Sequence, residues 1–142
     1  MTRAVVPGRL PQRCIMARVC RVLIVEGEYF LADDLKKALQ SEGAEIIGPI
    51  SELPEAIIQV DQDGLDAAVI DINLHDQAAY PVADKLTEQS IPFVFATGYS
   101  QHILPDRFWE VKRFEKPYDV SAIAKHVVEL GQPWKSVRQR KP

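Results

Sequence analysis

The chain has 142 residues, of which 46% are hydrophobic, enough for one domain with a real core and too few for several. Its net charge is -3, with 17 Lys and Arg against 20 Asp and Glu, and every acid lies between residues 19 and 130. No apolar stretch reaches the ~20 residues needed to span a bilayer, and no continuous apolar run follows the early arginines, which excludes membrane insertion and a secretory signal.

Arg3, Arg9, Arg13 and Arg18 mark the beginning of the chain, and Lys135, Arg138, Arg140 and Lys141 its end. Neither tail interleaves aromatics with its bases for stacking, so these read as solvated ends and not as a nucleic-acid surface. Residues 1–18 are expected to be a disordered extension, 19–131 the folded domain and 132–142 a basic tail too short to fold alone. Met16 directly precedes the organised region and is an alternative start to Met1. Cys14 and Cys20 lack metal-ligand spacing and matching histidines, which points to reduced thiols in a cytoplasmic protein.

Arg21 to Val25 reads as a short buried strand, followed by Glu26-Gly27-Glu28. Leu31, Leu35, Ala38 and Leu39 then share one helix face, and Gly43 ends that helix. Ala44 to Ile47 is a second strand closed by Gly48-Pro49. Leu53, Ala56, Ile57 and Val60 give a second helical stripe, with Ser51 as its cap and Pro54 in its first turn. Asp63-Gly64 is a turn.

Ala67 to Ile70 is continuously apolar and stops at Asp71, the pattern of a strand buried on both faces. Asp71 is either a turn cap or a carboxylate at the rim of a parallel sheet, where open α/β sheets place their chemistry. Asn73 to Ala78 reads as a loose stretch before a third helix near Ala79 to Gln89. Phe93 to Ala96 is a fourth strand, ended by Thr97-Gly98. Residues 99–110 carry no clean stripe and are interrupted by Pro105, so the fourth helix is weak or irregular. Val111 to Glu115 is a fifth strand before Lys116-Pro117, and Asp119 caps a last helix with Val120, Ile123, Ala124, Val127 and Val128 on one face.

Five strands alternating with helices predict an α/β, flavodoxin-like (βα)5 fold with a five-stranded parallel sheet in the order 2-1-3-4-5. That topology brings Glu26, Asp71, Thr97 and Lys116 to one rim. Two carboxylates can hold a hard divalent cation such as Mg²⁺, a lysine can grip a phosphoryl oxygen, and a hydroxyl can hydrogen-bond one. Such a set suits phosphoryl transfer onto Asp71. A flavin- or nucleotide-binding enzyme is disfavoured, because Glu26-Gly27-Glu28 is too acidic to cradle a phosphate.

Val-Leu-Ile-Val-Glu at 22–26, Val-Ile-Asp-Ile-Asn-Leu at 69–74, Thr97 and Lys116-Pro117 resemble a two-component response-regulator receiver domain, over about residues 20–130. Pro92-Phe-Val-Phe-Ala-Thr-Gly-Tyr99 resembles the signature of a receiver subgroup found mostly in alphaproteobacteria, often as single-domain proteins with a reduced fourth helix. The resemblance implies a signalling module, not an enzyme, in which Asp71 accepts a phosphoryl group from a sensor histidine kinase or phosphotransfer protein. It further implies that Thr97 and Lys116 sense the phosphate, that the Lys116–Pro117 bond is cis, and that Glu26, Asp71 and the backbone carbonyl of Asn73 serve Mg²⁺.

The family carries two acids after the first strand; here the second is Gly27. Loss of that ligand weakens the expected Mg²⁺ binding, and Glu28, Asp33 and Asp34 are not expected to replace it. The alternative is a pseudo-receiver, a protein-binding module that works without phosphorylation. Either way output passes to a downstream protein partner, with Tyr99, Trp109 and Tyr118 as the expected signalling surface.

Overall fold

The computed structural model describes residues 19–62, 64–98 and 104–132. Strand β1 (Arg21–Val25) leads to helix α1 (Tyr29–Ser41), β2 (Glu45–Ile50) and helix α2 (Leu53–Val60). The central strand β3 (Ala67–Asp71) runs into a miniature hairpin, β4 (Asn73–Leu74) and β5 (Gln77–Ala78), before α3 (Tyr80–Glu88). Strand β6 (Phe93–Thr97), a 3-10 turn (Asp106–Phe108), β7 (Arg113–Glu115) and α4 (Val120–Leu130) complete the order.

The main sheet has five strands in the order β2-β1-β3-β6-β7, and every pair in it is parallel. This is the flavodoxin-like arrangement the alternation of elements predicts. Between β6 and β7 the described residues hold only the 3-10 turn, in line with the expected weak fourth helix. The proposed tails, 1–18 and nearly all of 132–142, lie outside the described residues, as do Cys14 and Tyr99.

Side chains alternate across the sheet, so each strand feeds two cores. Val22 and Ile24 face Leu35 and Leu39 of α1 and Ile123, Ala124 and Val127 of α4. Leu23 and Val25 face the opposite core, with Ala56 and Val60 of α2 and Val82, Ala83 and Leu86 of α3. Burial on both faces explains why β3 and β6 read as unbroken apolar runs. On the α3 side Phe95 and Phe108 meet edge to face with centroids 5.4 Å apart, and Tyr80 stacks on Phe108 at 5.6 Å. The 3-10 turn is thus pinned to the core even though it forms no full helix. Arg107 adds a bidentate pair to Asp84 of α3, at 2.8 and 3.1 Å.

Three local expectations need correction. Strand β2 does not close at Gly48-Pro49 but runs through it to Ile50, whose carbonyl accepts the N–H of Glu26 at 3.0 Å. The strand accommodates the interruption by a register shift between Leu23 and Val25, and Gly48 takes a φ of 98° that suits glycine. The N-cap of α2 is Glu52 in place of Ser51, with no side-chain cap hydrogen bond. The loose stretch at 73–78 is an ordered hairpin, held where the Ala79 N–H donates to the Ile72 carbonyl at 2.8 Å. Asp119 caps α4 as expected, accepting from the Ser121 N–H at 2.9 Å.

Candidate functional site

The carboxyl ends of four strands converge. Glu26 follows β1, Asp71 is the last residue of β3, Thr97 the last of β6, and Lys116 follows β7. Parallel register sets them side by side: Asp71 pairs with Ala96, and Thr97 with Glu115. The Lys116 N–H then donates to the Thr97 carbonyl at 2.7 Å. The Lys116–Pro117 bond is cis, as the resemblance implies.

Lys116 Nζ bridges the two carboxylates, 3.1 Å from Asp71 Oδ2 and 3.4 Å from Glu26 Oε2. Asp71 Oδ1 also accepts the Asn73 N–H at 3.2 Å, and Glu26 Oε2 the Glu28 N–H at 3.1 Å. Both acids are almost fully buried. Burial first, then the proximity of Asp71, pushes the Glu26 carboxyl up to about 7, against the pull of Lys116. Burial opposes the charge on Lys116, but Asp71 and Glu26 outweigh it and hold the ammonium above its ordinary value. Once Glu26 ionises, the cluster therefore holds more buried negative charge than one lysine balances.

Over this cluster lies an open cavity of about 400 Å³, lined by Glu26, Gly27, Glu28, Asp71, Asn73, His75, Gly98 and Lys116. Neither Asp33 nor Asp34 lines it, and Asp33 pairs instead with Lys37 at 3.0 Å. Thr97 is buried at the β6 end. Trp109 is 70% exposed, its indole N–H donating to the Leu104 carbonyl at 3.2 Å. Tyr118 is half-buried. Its ring packs against the α1/α4 core, and its buried hydroxyl finds no partner among the described residues. Burial, then the charges of Glu26 and Asp71, hold that phenol protonated well above its usual range.

The donor set suits a hard dication. Glu26 and Asp71 carry oxygen ligands, Asn73 adjoins them in the same cavity, and the buried Glu26 Oε1 finds no partner among the described residues. Sequence reasoning missed His75. It lies four residues past Asp71 in a stretch without periodicity, and nothing local signals that it faces Gly27 from across the fold.

An open, parallel, doubly wound sheet with a lysine-bridged acidic cluster at its carboxyl rim defines a CheY-like, flavodoxin-type domain. Comparison with known proteins extends this. SdrG of Sphingomonas melonis is 32% identical with a TM-score of 0.69, over 80% of this chain and 96% of that one. A BeF3-activated conformation of SdrG, from Pseudomonas melonis, is 34% identical with a TM-score of 0.61, over 75% and 91%. The sensory transduction protein LytT of Bacillus cereus is 32% identical over 109 residues, 72% of this chain and 44% of LytT.

The chain belongs to the response-regulator receiver family of two-component signalling. It spans about half the length of the curated relatives it matches, and no protein-family model matches it. Receiver domains are signalling modules that generally bind Mg²⁺, and response regulators act with kinases and partner proteins. Among the described residues no helix is long and apolar enough to cross a membrane.

Proposed function

We propose that this chain is a receiver in which Asp71 accepts a phosphoryl group from the phosphohistidine of a sensor histidine kinase or phosphotransfer protein. The observation that supports it is the placement of Asp71 Oδ2 3.1 Å from Lys116 Nζ at the floor of an open cavity. An Asp71 carboxylate oxygen attacks phosphorus, the P–N bond to the imidazole breaks, and the leaving imidazole takes up a proton. Lys116 is already partly desolvated beside the attacking group and can follow a phosphoryl oxygen as charge moves outward. The Thr97 carbonyl already accepts the Lys116 N–H, and the Thr97 hydroxyl can hydrogen-bond the added group.

Glu26, Asp71 and the Asn73 carbonyl would hold a divalent cation, which when bound offsets the repulsion between Asp71 and the incoming phosphoryl group. The output is a population shift between two surface states, read by a protein partner through the β6–β7 connection around Trp109 and the adjoining Tyr99 and Tyr118. A cytoplasmic location goes with this reading. The BeF3-activated conformation of the relative SdrG supports a phosphate-driven switch.

A second reading, a pseudo-receiver that binds its partner without phosphorylation, is favoured by Gly27, which removes one metal-ligating carboxylate. Phosphotransfer from a candidate sensor kinase separates the two. Labelling of the natural protein and not of Asp71→Asn supports the switch. Absence of labelling from every kinase tested, with partner binding unchanged in Asp71→Asn, supports the pseudo-receiver.

A further inference from the structure

Gly27 leaves a gap in the metal ligands, and the structure shows what stands beside it. A Cβ built on Gly27 comes 3.1 Å from His75 Nε2 and 3.3 Å from His75 Cδ2. The imidazole edge that carries Nε2 therefore stands against the point where a side chain at position 27 would begin. His75 lines the same cavity as Glu26, Asp71 and Asn73.

We propose that His75 supplies, through Nε2, the metal ligand that position 27 lacks, so that the Asp71 site takes a first-row transition-metal dication in preference to Mg²⁺. The inference rests on reading Asp71 as a metal-assisted phosphoacceptor.

Four further observations support it. The other ring nitrogen, Nδ1, lies 3.4 Å from Glu52 Oε2. A carboxylate beside one imidazole nitrogen leaves the other nitrogen to a metal, and because both side chains are exposed the contact does not lock the ring. Second, His75 and the following Asp76 adopt φ values of 50° and 66°, at the tip of the β4–β5 hairpin. Histidine and aspartate are among the side chains enriched in that left-handed region, and the tight tip sets the His75 ring beside Gly27. Third, Glu26 Oε1 is buried in this cluster without a partner among the described residues. Fourth, imidazole prefers borderline dications such as Co²⁺ and Zn²⁺, whereas Mg²⁺ demands oxygen.

Among the described residues no three His, Cys, Asp or Glu side chains are already gathered as a metal site. Ligation therefore includes a swing of the His75 ring toward Asp71, for which its 56% exposed side chain has room.

The test titrates the full chain, without a phosphoryl donor, with Co²⁺ and separately with Mg²⁺, followed by calorimetry and by NMR of the imidazole nitrogens. The natural protein is expected to bind Co²⁺ at least tenfold tighter than Mg²⁺, with the His75 Nε2 resonance broadened. His75→Gly suits the positive φ and should weaken Co²⁺ tenfold or more while leaving Mg²⁺ unchanged; Asp71→Asn should weaken both. Gly27→Asp should raise Mg²⁺ affinity more in the His75→Gly background than alone. If Asp71→Asn weakens Co²⁺ but His75→Gly does not, the metal site stands and the role of His75 is overturned. Equal gains from Gly27→Asp with and without His75 overturn it as well. If no variant binds either metal at Asp71, the metal-assisted reading beneath it falls too.

Discussion

Lys116 Nζ lies 3.1 Å from Asp71 Oδ2, although the two residues are 45 apart in the chain. The same ammonium reaches Glu26, so one partly exposed cation serves two buried carboxylates. Removing it strands both. Lys116→Met is expected to destabilise the metal-free protein by about 2 kcal/mol, less than for a fully buried pair because water reaches the lysine. Thermal unfolding with a chelator present measures it. The loss should be larger at pH 8 than at pH 5.5, where protonation of Glu26 relieves part of the repulsion. An equal loss at both pH values would contradict the charge argument.

Glu26 itself makes stability depend on pH. Its carboxyl titrates near 7 in the folded protein against an ordinary 4.5. Between those values the folded state keeps a proton that the unfolded chain has released. The contribution of this group to stability is therefore fully present below about pH 4.5 and is lost as pH rises through 7. The difference is on the order of 3 kcal/mol. Glu26→Gln should flatten the decline in Tm between pH 5 and pH 8 in a chelator-containing buffer. A variant whose Tm follows the natural pH profile would reject the assignment.

Phe108 anchors the connection between β6 and β7 by its contacts with Phe95, Phe93 and Tyr80. Phe108→Ala should cost roughly 3 kcal/mol, the usual loss for a buried aromatic. Because the 3-10 turn is otherwise tied to α3 by the exposed Arg107–Asp84 pair, amide exchange over 104–111 should accelerate more than in β1 or β3. Uniform acceleration across the sheet would show that the turn is not a separate unit.

Gly131 closes α4 against the start of the sheet. A Cβ there would fall 2.5 Å from Cys20 Sγ and 3.4 Å from Ala67 Cβ. Gly131→Ala is expected to cost about 1–3 kcal/mol through overpacking, despite the better helix propensity of alanine. Denaturant unfolding measures it, and a neutral result would mean the helix end yields.

Tyr118 runs the other way. Its hydroxyl is buried without a partner among the described residues, so Tyr118→Phe removes a desolvated polar group and keeps the ring packing. The variant should be as stable as the natural protein or more so, by up to ~1 kcal/mol. A clear loss in Tm would reveal a hydrogen bond that the hydroxyl makes.

Local chemistry made much of the molecule legible in its sequence. Apolar runs marked β1, β3 and β6, 3.6-residue stripes marked the helices, and Asp119 announced its cap. Chain connectivity then forced Glu26, Asp71, Thr97 and Lys116 to a common rim, because parallel strands present the same end to the same side. Features that depend on contacts between distant segments stayed hidden. Strand β2 continues past Gly48-Pro49 because β1 offers it partners, and the half-buried Tyr118 ring packs against the α1/α4 core. His75 meets Gly27 only because a left-handed hairpin after β3 folds back over the end of β1. A residue type and its spacing carry no record of such a meeting; it exists once the two cores have packed and the sheet has fixed where each strand ends.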